Sequence, residues 1–419
     1  MTATTAESSR RSRQRVLIMN PSPIRPDMAS GDRRLAQIIE FLASRHRCDA
    51  RMFKLSRSTD AHPWIANAVR QSGGQIQGDD WLRENHSWIA REFSVVLMEF
   101  WWGAKPHLQP IRKRQPWAWC IVDTVDVHYL REQTAVQLGL LPAQAMAQTK
   151  AQELAVYRAS DAIIVVTLDE RAALIHEGIT APIFIVPTFA PIQERTKKER
   201  QREVLFVGGF GHAPNIDAVL WFVRECWPLI RANVPDAIFT IVGSKAPPQI
   251  LALNGEPGVQ VIGYVEQTAP YLDRAAVSIA PLRVGGGMKG KVCEALGAGI
   301  PLITTPIGAQ GIPLRHRESA CVAESSAAFA DEVIWALTHV EAAQSMGSRG
   351  RQVIADLCGP DTVARYLDPL SQFIAALPKR YPLRRLWWQL FWSGGVLPAV
   401  RLWNRIGPKS GAAEVCGDG

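Results

Sequence analysis

The sequence has 419 residues, 47% of them hydrophobic and 21% charged, which suits two or three folded domains and excludes a disordered protein. It contains no repeat of about 20–50 residues, which excludes a solenoid, and its seven scattered cysteines lack a CxxC pair, which indicates reduced thiols rather than a disulfide framework or a zinc site. The formal net charge of +8 is carried entirely by residues 1–15 and 379–419. This argues against a nucleic-acid enzyme, because such proteins spread basic charge over a folded face.

Strands and helices are predicted to alternate over the first half of the chain. The apolar run at residues 16–19 predicts a strand, and four aliphatic residues from Leu35 to Leu42 have the spacing of one helix face. Further strands are predicted at residues 94–98, 119–122, 162–166 and 183–186. This alternation indicates a mostly parallel sheet with helices on both faces.

The pattern breaks at residues 188–202, where Pro191 and a charged run predict a linker. A second alternating set follows, with a helix from Asn215 and a last helix at residues 362–377. Its strands are predicted at residues 204–207, 237–242, 259–262, 277–280 and 301–305. Two α/β domains of similar size would leave a cleft between them, and ligands of open α/β sheets bind outside the carboxyl ends of the strands.

The strongest chemical motif lies at residues 281–301, which predict a strand, a glycine loop, a helix and another strand. The glycines at 285–287 let the backbone approach a ligand, and the following helix N-terminus attracts anions. Lys289 and Lys291 add positive charge, and Glu294 is placed to accept hydrogen bonds from sugar hydroxyls. The motif predicts a site for a diphosphate attached to a sugar; the alternative is a tight turn whose charges face solvent.

Other phosphate-binding motifs are not matched. The Walker A spacing is absent, and residues 208–211 do not meet the G-x-G-x-x-G pattern of nicotinamide enzymes. The sequence presents no metal-binding cluster either, so neither a cofactor nor a metal is predicted.

Residues 204–311 resemble the donor-binding domain of family 4 glycosyltransferases, which belong to glycosyl transferases group 1 and have the GT-B fold. The first half of the chain is similar to the same family, and the resemblance extends over residues 15–377. It is carried by Leu205-Phe206-Val207-Gly208-Gly209, Ile241-Val242-Gly243-Ser244, Val261-Ile262-Gly263-Tyr264-Val265, Glu294-Ala295-Leu296, Ser30-Gly31-Asp32-Arg33-Arg34 and Asp123-Thr124-Val125-Asp126-Val127-His128.

The resemblance assigns Glu294 to the nucleotide ribose, since it matches the second glutamate of the family's E-x7-E motif. The first glutamate of that motif is replaced by Gly286. We therefore expect the backbone amides of Gly286 and Gly287 to take over contacts with the donor.

The family often has an arginine and a lysine that bind the diphosphate after the first strand of the donor domain, where this chain has Gly208-Gly209-Phe210-Gly211-His212 and, further on, Asn215. Because this chain lacks both, Lys289 and Lys291 are the expected diphosphate ligands. Gly208 and Gly209 are still expected to line the donor site.

Three further residues take donor-side roles from the resemblance. Gly263 and Tyr264 match the segment that frames the nucleotide base. Gly31 matches a glycine loop that faces the phosphates from the other side of the cleft.

Asp126 and His128 follow a predicted strand end, where related enzymes place groups near the donor sugar and the acceptor hydroxyl. With Lys291 they are the predicted catalytic residues, since Asp or His can polarise a hydroxyl. The alternative is that Asp126 caps a loop and His128 is a core residue, and Glu153 is interpreted as structural.

The predicted fold is α/β of the GT-B type, with two Rossmann-like domains facing across a cleft and an amphipathic C-terminal tail. The predicted divisions are a disordered basic N-terminus at 1–14, an acceptor-side domain at 15–190, a linker at 191–203, a donor-binding domain at 204–360, a helix at 361–378 returning to the first domain, and a basic tail at 379–419.

The implied activity is a retaining, metal-independent hexosyl transfer from a nucleotide sugar to a lipid-linked or cell-surface glycan, as in polysaccharide or lipopolysaccharide biosynthesis. Two alternatives stay open. One is a non-catalytic protein that binds glycans or nucleotides, and the other is a sugar-nucleotide epimerase on the same fold.

The tail at 379–419 holds seven basic and two acidic residues and four of the 14 Trp. Together with its apolar helical face, this composition predicts an anchor at an anionic membrane surface. No signal peptide or spanning segment is recognised, so the expected location is cytoplasmic, peripheral on the inner face of the cytoplasmic membrane. The alternative is that the tail packs on the body of the protein.

Overall fold

The computed structural model describes residues 13–55, 57–78, 93–193 and 202–378. The tail at 379–419 and most of the basic N-terminus therefore lie outside the described residues. Two sheets form the framework, one in each domain, and every strand pairing recorded within them is parallel.

The sheet of the first domain has the strand order β3-β2-β1-β4-β5-β6-β7 within the described residues. Its strands are β1 (Arg15–Asn20), β2 (Arg47–Met52), β3 (Ile76–Gln77), β4 (Val95–Glu99), β5 (Trp119–Asp123), β6 (Ala162–Val165) and β7 (Ile183–Ile185). The central strands are buried on both faces, which explains their nearly continuous apolar sequences.

Helices cover both faces of this sheet. They are α1 (Ser30–Arg45), α2 (Pro63–Gln71), α3 (Trp101–Arg114), α4 (His128–Gln137), α5 (Ala143–Arg158) and α6 (Leu168–His176), with a short 3-10 turn at Ser58–Asp60. The predicted apolar face of α1 is fully buried. A capping box between Thr167 and Glu170 begins α6.

The second sheet has the order β10-β9-β8-β11-β12-β13. Its strands are β8 (Glu203–Val207), β9 (Ile238–Val242), β10 (Val259–Gly263), β11 (Val277–Ala280), β12 (Leu302–Thr304) and β13 (Cys321–Val322). Its helices are α7 (Ala213–Trp221), continued by a π-turn at Phe222–Cys226, then α8 (Trp227–Asn233), α9 (Pro248–Leu251), α10 (Ala269–Arg274), α11 (Gly290–Gly297), α12 (Pro306–Ala309), α13 (Ser326–Thr338), α14 (Val340–Cys358) and α15 (Val363–Ala376), with 3-10 turns at Ala252–Gly255 and Pro360–Thr362.

The predicted strands are confirmed, but β2, β3 and β13 were not predicted. β2 was not predicted because Arg47, Asp49 and Arg51 interrupt the apolar run that is typical of a buried strand. Asp49 is buried and binds Arg15 of β1 at 3.1 Å, so pairing between neighbouring strands compensates this buried charge. β3 and β13 are only two residues long, too short to show a periodicity.

The last helix, α15, packs on the first domain although it follows the second in sequence. Asp368 pairs with Arg45 at 3.0 Å, and the hydroxyl of Ser371 lies 3.1 Å from Nε2 of His46. Gln14 Nε2 donates to the carbonyl of Leu377 at 3.1 Å. The described chain thus begins and ends at one place on the first domain.

The domains are joined by a common apolar cluster as well as by the chain. The cluster contains Phe189, Leu296, Ile354 and Leu367, contributed by both halves. No helix among the described residues combines the length and the hydropathy that a membrane crossing requires. The six cysteines of the described ranges are buried and form no disulfide, as predicted; Cys416 lies outside these ranges.

Candidate functional site between the two domains

The candidate site lies where the N-terminus of α1 in the first domain meets that of α11 in the second. A Cβ atom added to Gly290 would lie 2.1 Å from Ser30 Oγ and 2.3 Å from Ser30 Cβ, so the two helices almost touch at their first residues. Both termini carry unpaired amides and a partial positive charge. Their apposition makes an anion site with contributions from both domains.

The predicted glycine loop lies against α4 of the opposite domain. The amide of Gly285 donates to Thr134 Oγ1 at 3.4 Å. Gly287 has a φ of +59°, a left-handed conformation that favours glycine. A Cβ atom added to Gly287 would lie 3.4 Å from Asp126 Cβ.

Position 286 leaves little room for a side chain larger than that of glycine. A Cβ atom there would lie 3.2 Å from both Arg131 Cβ and Asp126 Oδ2. A glutamate at this position would be crowded by Arg131, and its carboxylate would lie close to that of Asp126. The close approach of the domains thus favours glycine at this position.

Lys289 extends from the glycine loop into the interface. Its Nζ donates to the carbonyl of Gly287 at 2.5 Å and to Gln310 Oε1 at 3.1 Å. Burial lowers the pKa of Lys289 to about 8, although Asp126 and Glu170 act in the opposite direction.

Lys291 lies two residues further, in the first turn of α11, and points toward the loop after β8. Its Nζ donates to Asn215 Oδ1 and sits 4.8 Å from the centre of the Phe206 ring. Asn215 Nδ2 in turn donates to the carbonyl of Gly209 at 2.6 Å, and a Cβ on Gly208 would lie 3.0 Å from Lys291 Nζ. Burial, followed by the charge of Lys289, lowers the pKa of Lys291 to about 7.

Glu294 and the β10 terminus form the next part of the site. Thr268 Oγ1 donates to Glu294 Oε1 at 2.5 Å, which joins α11 to the segment that follows Tyr264. Gly263 has a φ of +83° and accepts a hydrogen bond from the amide of Gly243 at 2.8 Å. Tyr264 is 61% exposed, so its ring is available to a ligand.

Asp126, in the loop after β5, contacts both Arg131 and His128. Its carboxylate accepts from Arg131 Nη1 at 2.6 Å, and its other oxygen is 3.4 Å from His128 Nδ1. Burial lowers the pKa of His128 even though Asp126 opposes this shift. Both predicted residues therefore lie next to the glycine loop, with Asp126 placed to orient a neutral imidazole.

Glu153 is structural, as interpreted from the sequence. It is fully buried and accepts hydrogen bonds from the amides of His128 and Tyr129, each at 2.9 Å, and from the Tyr157 hydroxyl at 2.7 Å. Burial raises the pKa of Glu153 to about 7. Its role is to hold the first turn of α4, and with it the backbone of His128.

A buried ion pair fixes α1 beside the same edge of the sheet. Arg34 Nη1 donates to Asp123 Oδ2 at 2.8 Å and Arg34 Nε donates to the carbonyl of Val186 at 2.9 Å, with the arginine 1% and the aspartate 0% exposed. Burial, followed by Asp123, raises the pKa of neighbouring Glu99 well above its ordinary value. Gly31 is the second residue of α1, and a Cβ atom added to it would lie 3.6 Å from Val125 Cγ1.

Sequence reasoning did not assign roles to Arg131, His212, Asn215 and Thr268. Burial, then the charges of Arg131 and Lys291, lowers the pKa of His212, so this residue belongs to the same electrostatic environment. Asn215 had been noted only as a helix start, and the other three lie in segments without a recognisable pattern. The described residues contain no group of three or more His, Cys, Asp or Glu able to hold a metal ion.

Residues 201–339 match the family model described as Glycosyl transferases group 1. One curated relative, described as an uncharacterized 44.6 kDa protein in the cps region of Klebsiella pneumoniae, is 24% identical over 166 residues. That match spans 38% of this chain and 42% of the relative, so the comparison covers less than half of either protein.

Solved structures resemble most of the chain. Sucrose-phosphate synthase from Thermosynechococcus elongatus matches with a TM-score of 0.65 and 16% identity, and HepE from Anabaena in complex with UDP with 0.62 and 10%. A glycosyltransferase from Rickettsia africae matches with 0.60 and 10%. In each case 87% of this chain and 100% of the other are covered. The predicted GT-B fold is confirmed.

The contact between Ser30 and Gly290 predicts how the anion site can be disrupted. Gly290→Ala should raise the Kd of UDP or GDP about tenfold, because the added methyl forces the two helix N-termini apart. Isothermal titration calorimetry measures the effect. Ser30→Gly in the same protein should restore affinity, and Gly255→Ala, where an added Cβ meets no heavy atom within 4 Å, is the matched control. Unchanged affinity in Gly290→Ala would contradict this geometry.

The two lowered lysine pKa values predict a pH dependence of anion binding. Lys289 and Lys291, with pKa values of about 8 and 7, are protonated below these values and lose their charge as the pH rises through them. The Kd of UDP should therefore rise about tenfold between pH 7 and 8.5, a range in which the charge of the diphosphate changes little. Lys291→Arg should flatten the profile, because arginine stays charged. A pH-independent Kd in the unaltered protein would disprove the assignment of these amines.

Proposed function

We propose that this chain, a member of glycosyl transferases group 1 through residues 201–339 and a GT-B protein by its fold, transfers a hexose from a nucleotide sugar to a glycan acceptor. The single observation that carries the proposal is the apposition of the α1 and α11 N-termini beside two buried lysines. Within the described residues this combination offers a diphosphate both backbone amides and full positive charges.

The reaction breaks the bond between the anomeric carbon and the diphosphate and forms a bond to an acceptor oxygen. Negative charge accumulates on the departing diphosphate, and the acceptor hydroxyl loses its proton. Lys289 and Lys291, the amides of Gly286 and Gly287 and the two helix termini would stabilise that charge. Preorganised donors of this kind supply much of the catalysis in such sites.

The remainder of the donor fits the second domain. Glu294, held by Thr268, would accept hydrogen bonds from the ribose hydroxyls. The base would lie by Gly263 and the exposed ring of Tyr264, while Gly208 and Gly209 leave space near Lys291 Nζ.

The acceptor would approach from the first domain. His128 is kept neutral by burial, so its imidazole can accept a proton from the attacking hydroxyl. Asp126 orients the ring and is itself neutralised by Arg131 at 2.6 Å. Of Asp126 and His128, the contacts favour His128 as the group that polarises the hydroxyl.

We further propose that transfer retains the anomeric configuration, as the family resemblance implies, and proceeds without a metal because cationic side chains neutralise the diphosphate. Activity should then persist in the presence of EDTA.

The cps-region description of the Klebsiella relative supports an acceptor in polysaccharide or lipopolysaccharide assembly.

The basic segments at both ends of the chain leave the fold close together. This arrangement supports a membrane-bound acceptor at the cytoplasmic leaflet. Gln14 contacts Leu377 at 3.1 Å, and Arg13 Nε donates to the carbonyl of Arg45 at 3.3 Å. Residues 1–12 and 379–419 are thus attached at neighbouring points of the first domain. Seven basic residues in the second segment suit anionic headgroups, each contributing about 1 kcal/mol near the surface.

The transfer proposal is tested by nucleotide release from UDP- and GDP-sugars in the presence of a membrane extract. We expect release with one donor class and a loss of at least about 100-fold in Lys291→Ala and Glu294→Ala, since both contact the donor. Arg349→Ala, a surface change on α14, is the control. Binding without release would favour a non-catalytic binding protein, and interconversion of the sugar nucleotides would favour an epimerase; either result rejects transfer.

The membrane proposal is tested by flotation with liposomes of phosphatidylglycerol and phosphatidylcholine. The full chain should float with anionic vesicles and remain in solution with neutral ones, and deletion of residues 379–419 should abolish flotation. A variant with glutamine at Lys379, Arg380, Arg384 and Arg385 separates charge from apolar insertion. Equal flotation of the deleted and full chains would reject the anchor.

A further inference from the structure

An aromatic cluster lies at the start of α3, on the first-domain side of the cleft. It consists of Phe100, Trp101 and Trp102, which we call the aromatic platform. The rings of Phe100 and Trp102 are stacked, with centroids 5.2 Å apart and planes inclined by 22°. Trp102 is 46% exposed, so a large flat apolar surface is open to solvent.

The platform is continuous with the proposed reaction centre. The His128 ring meets Phe100 and Trp101 edge to face, at centroid distances of 6.2 and 6.1 Å and interplanar angles of 90°. Asp126, which orients His128, lies beside Gly286 of the second domain. Phe100 and Trp101 are therefore connected to the glycine loop through His128 and Asp126.

The backbone of the platform is unusual and firmly held. Phe100 has a φ of +60°, a left-handed conformation that is rare for a bulky residue. Its amide donates to the carbonyl of Asp123 at 2.8 Å, and Gly103 allows Pro21 to approach the first turn of α3. Strained residues of this kind cluster at functional sites, where the surrounding structure fixes their side chains.

We propose that the aromatic platform binds the terminal pyranose ring of the acceptor by stacking, an inference that rests on the proposed sugar transfer. The face of a pyranose carries C–H groups with partial positive charge, which are attracted to the negative face of an aromatic ring. Stacking on Trp102 or Phe100 would leave the hydroxyls at the ring edge directed toward His128. The platform thus selects a hexopyranoside acceptor and positions the hydroxyl that is glycosylated.

The direct test is saturation-transfer NMR in the presence of UDP, with methyl glycosides of glucose, galactose, mannose and N-acetylglucosamine as probes. At least one glycoside should receive saturation on its ring C–H protons from the unaltered protein, and Trp102→Ala should reduce that signal about tenfold. Trp102→Phe should restore most of it. Trp335→Ala, which removes a partly exposed ring stacked on His339 in the second domain, is the matched control.

The kinetic test uses the glycoside that binds best as acceptor. Trp102→Ala should raise the acceptor KM about tenfold while the donor KM and the Kd of UDP stay unchanged. The platform is rejected if no glycoside receives saturation from the unaltered protein, or if Trp102→Ala and Trp335→Ala behave alike. Failure of the proposed function is distinguishable, because then the unaltered protein would release no nucleotide from any sugar nucleotide while glycoside binding would still depend on Trp102.

Discussion

The approach of the α1 and α11 N-termini is the contact on which the candidate site depends. It requires a glycine at 290, because an added Cβ would lie 2.1 Å from Ser30 Oγ. The same closeness brings the glycine loop against Asp126 and Arg131, and it buries the two lysines enough to lower their pKa values. A site formed by two domains can open to admit a nucleotide and close to exclude water.

Buried carboxylates organise the first-domain side of this contact. Asp123 holds α1 through Arg34, Glu153 holds the first turn of α4, and Glu170 accepts the amides of Val127 and Val166 at 3.0 and 2.9 Å. Removal of one partner from a buried pair costs about 3–5 kcal/mol, because the remaining charge has no compensation. These acids therefore give the loop that carries Asp126 and His128 a defined shape.

Gly286 shows how closely the two domains approach each other in the cleft. A larger side chain there would meet the carboxylate of Asp126, which is already bound to Arg131. The first domain thus places an ion pair next to the glycine loop. Burial lowers the pKa of Lys289 to about 8, and the charges of Asp126 and Glu170 oppose this shift.

The sequence alone determined the two α/β domains, most strands, and the loop that carries Lys289, Lys291 and Glu294, because these features depend on local periodicity and on residues close in the chain. It missed β2, whose Asp49 is paired with Arg15 of the neighbouring strand, and it assigned no role to Arg131, Asn215 or Thr268. Local sequence could not reveal these roles, since Asn215 binds a residue 76 positions away and Thr268 one 26 positions away. The crowding of Gly286 by Asp126 and Arg131 likewise follows from contacts between the two domains.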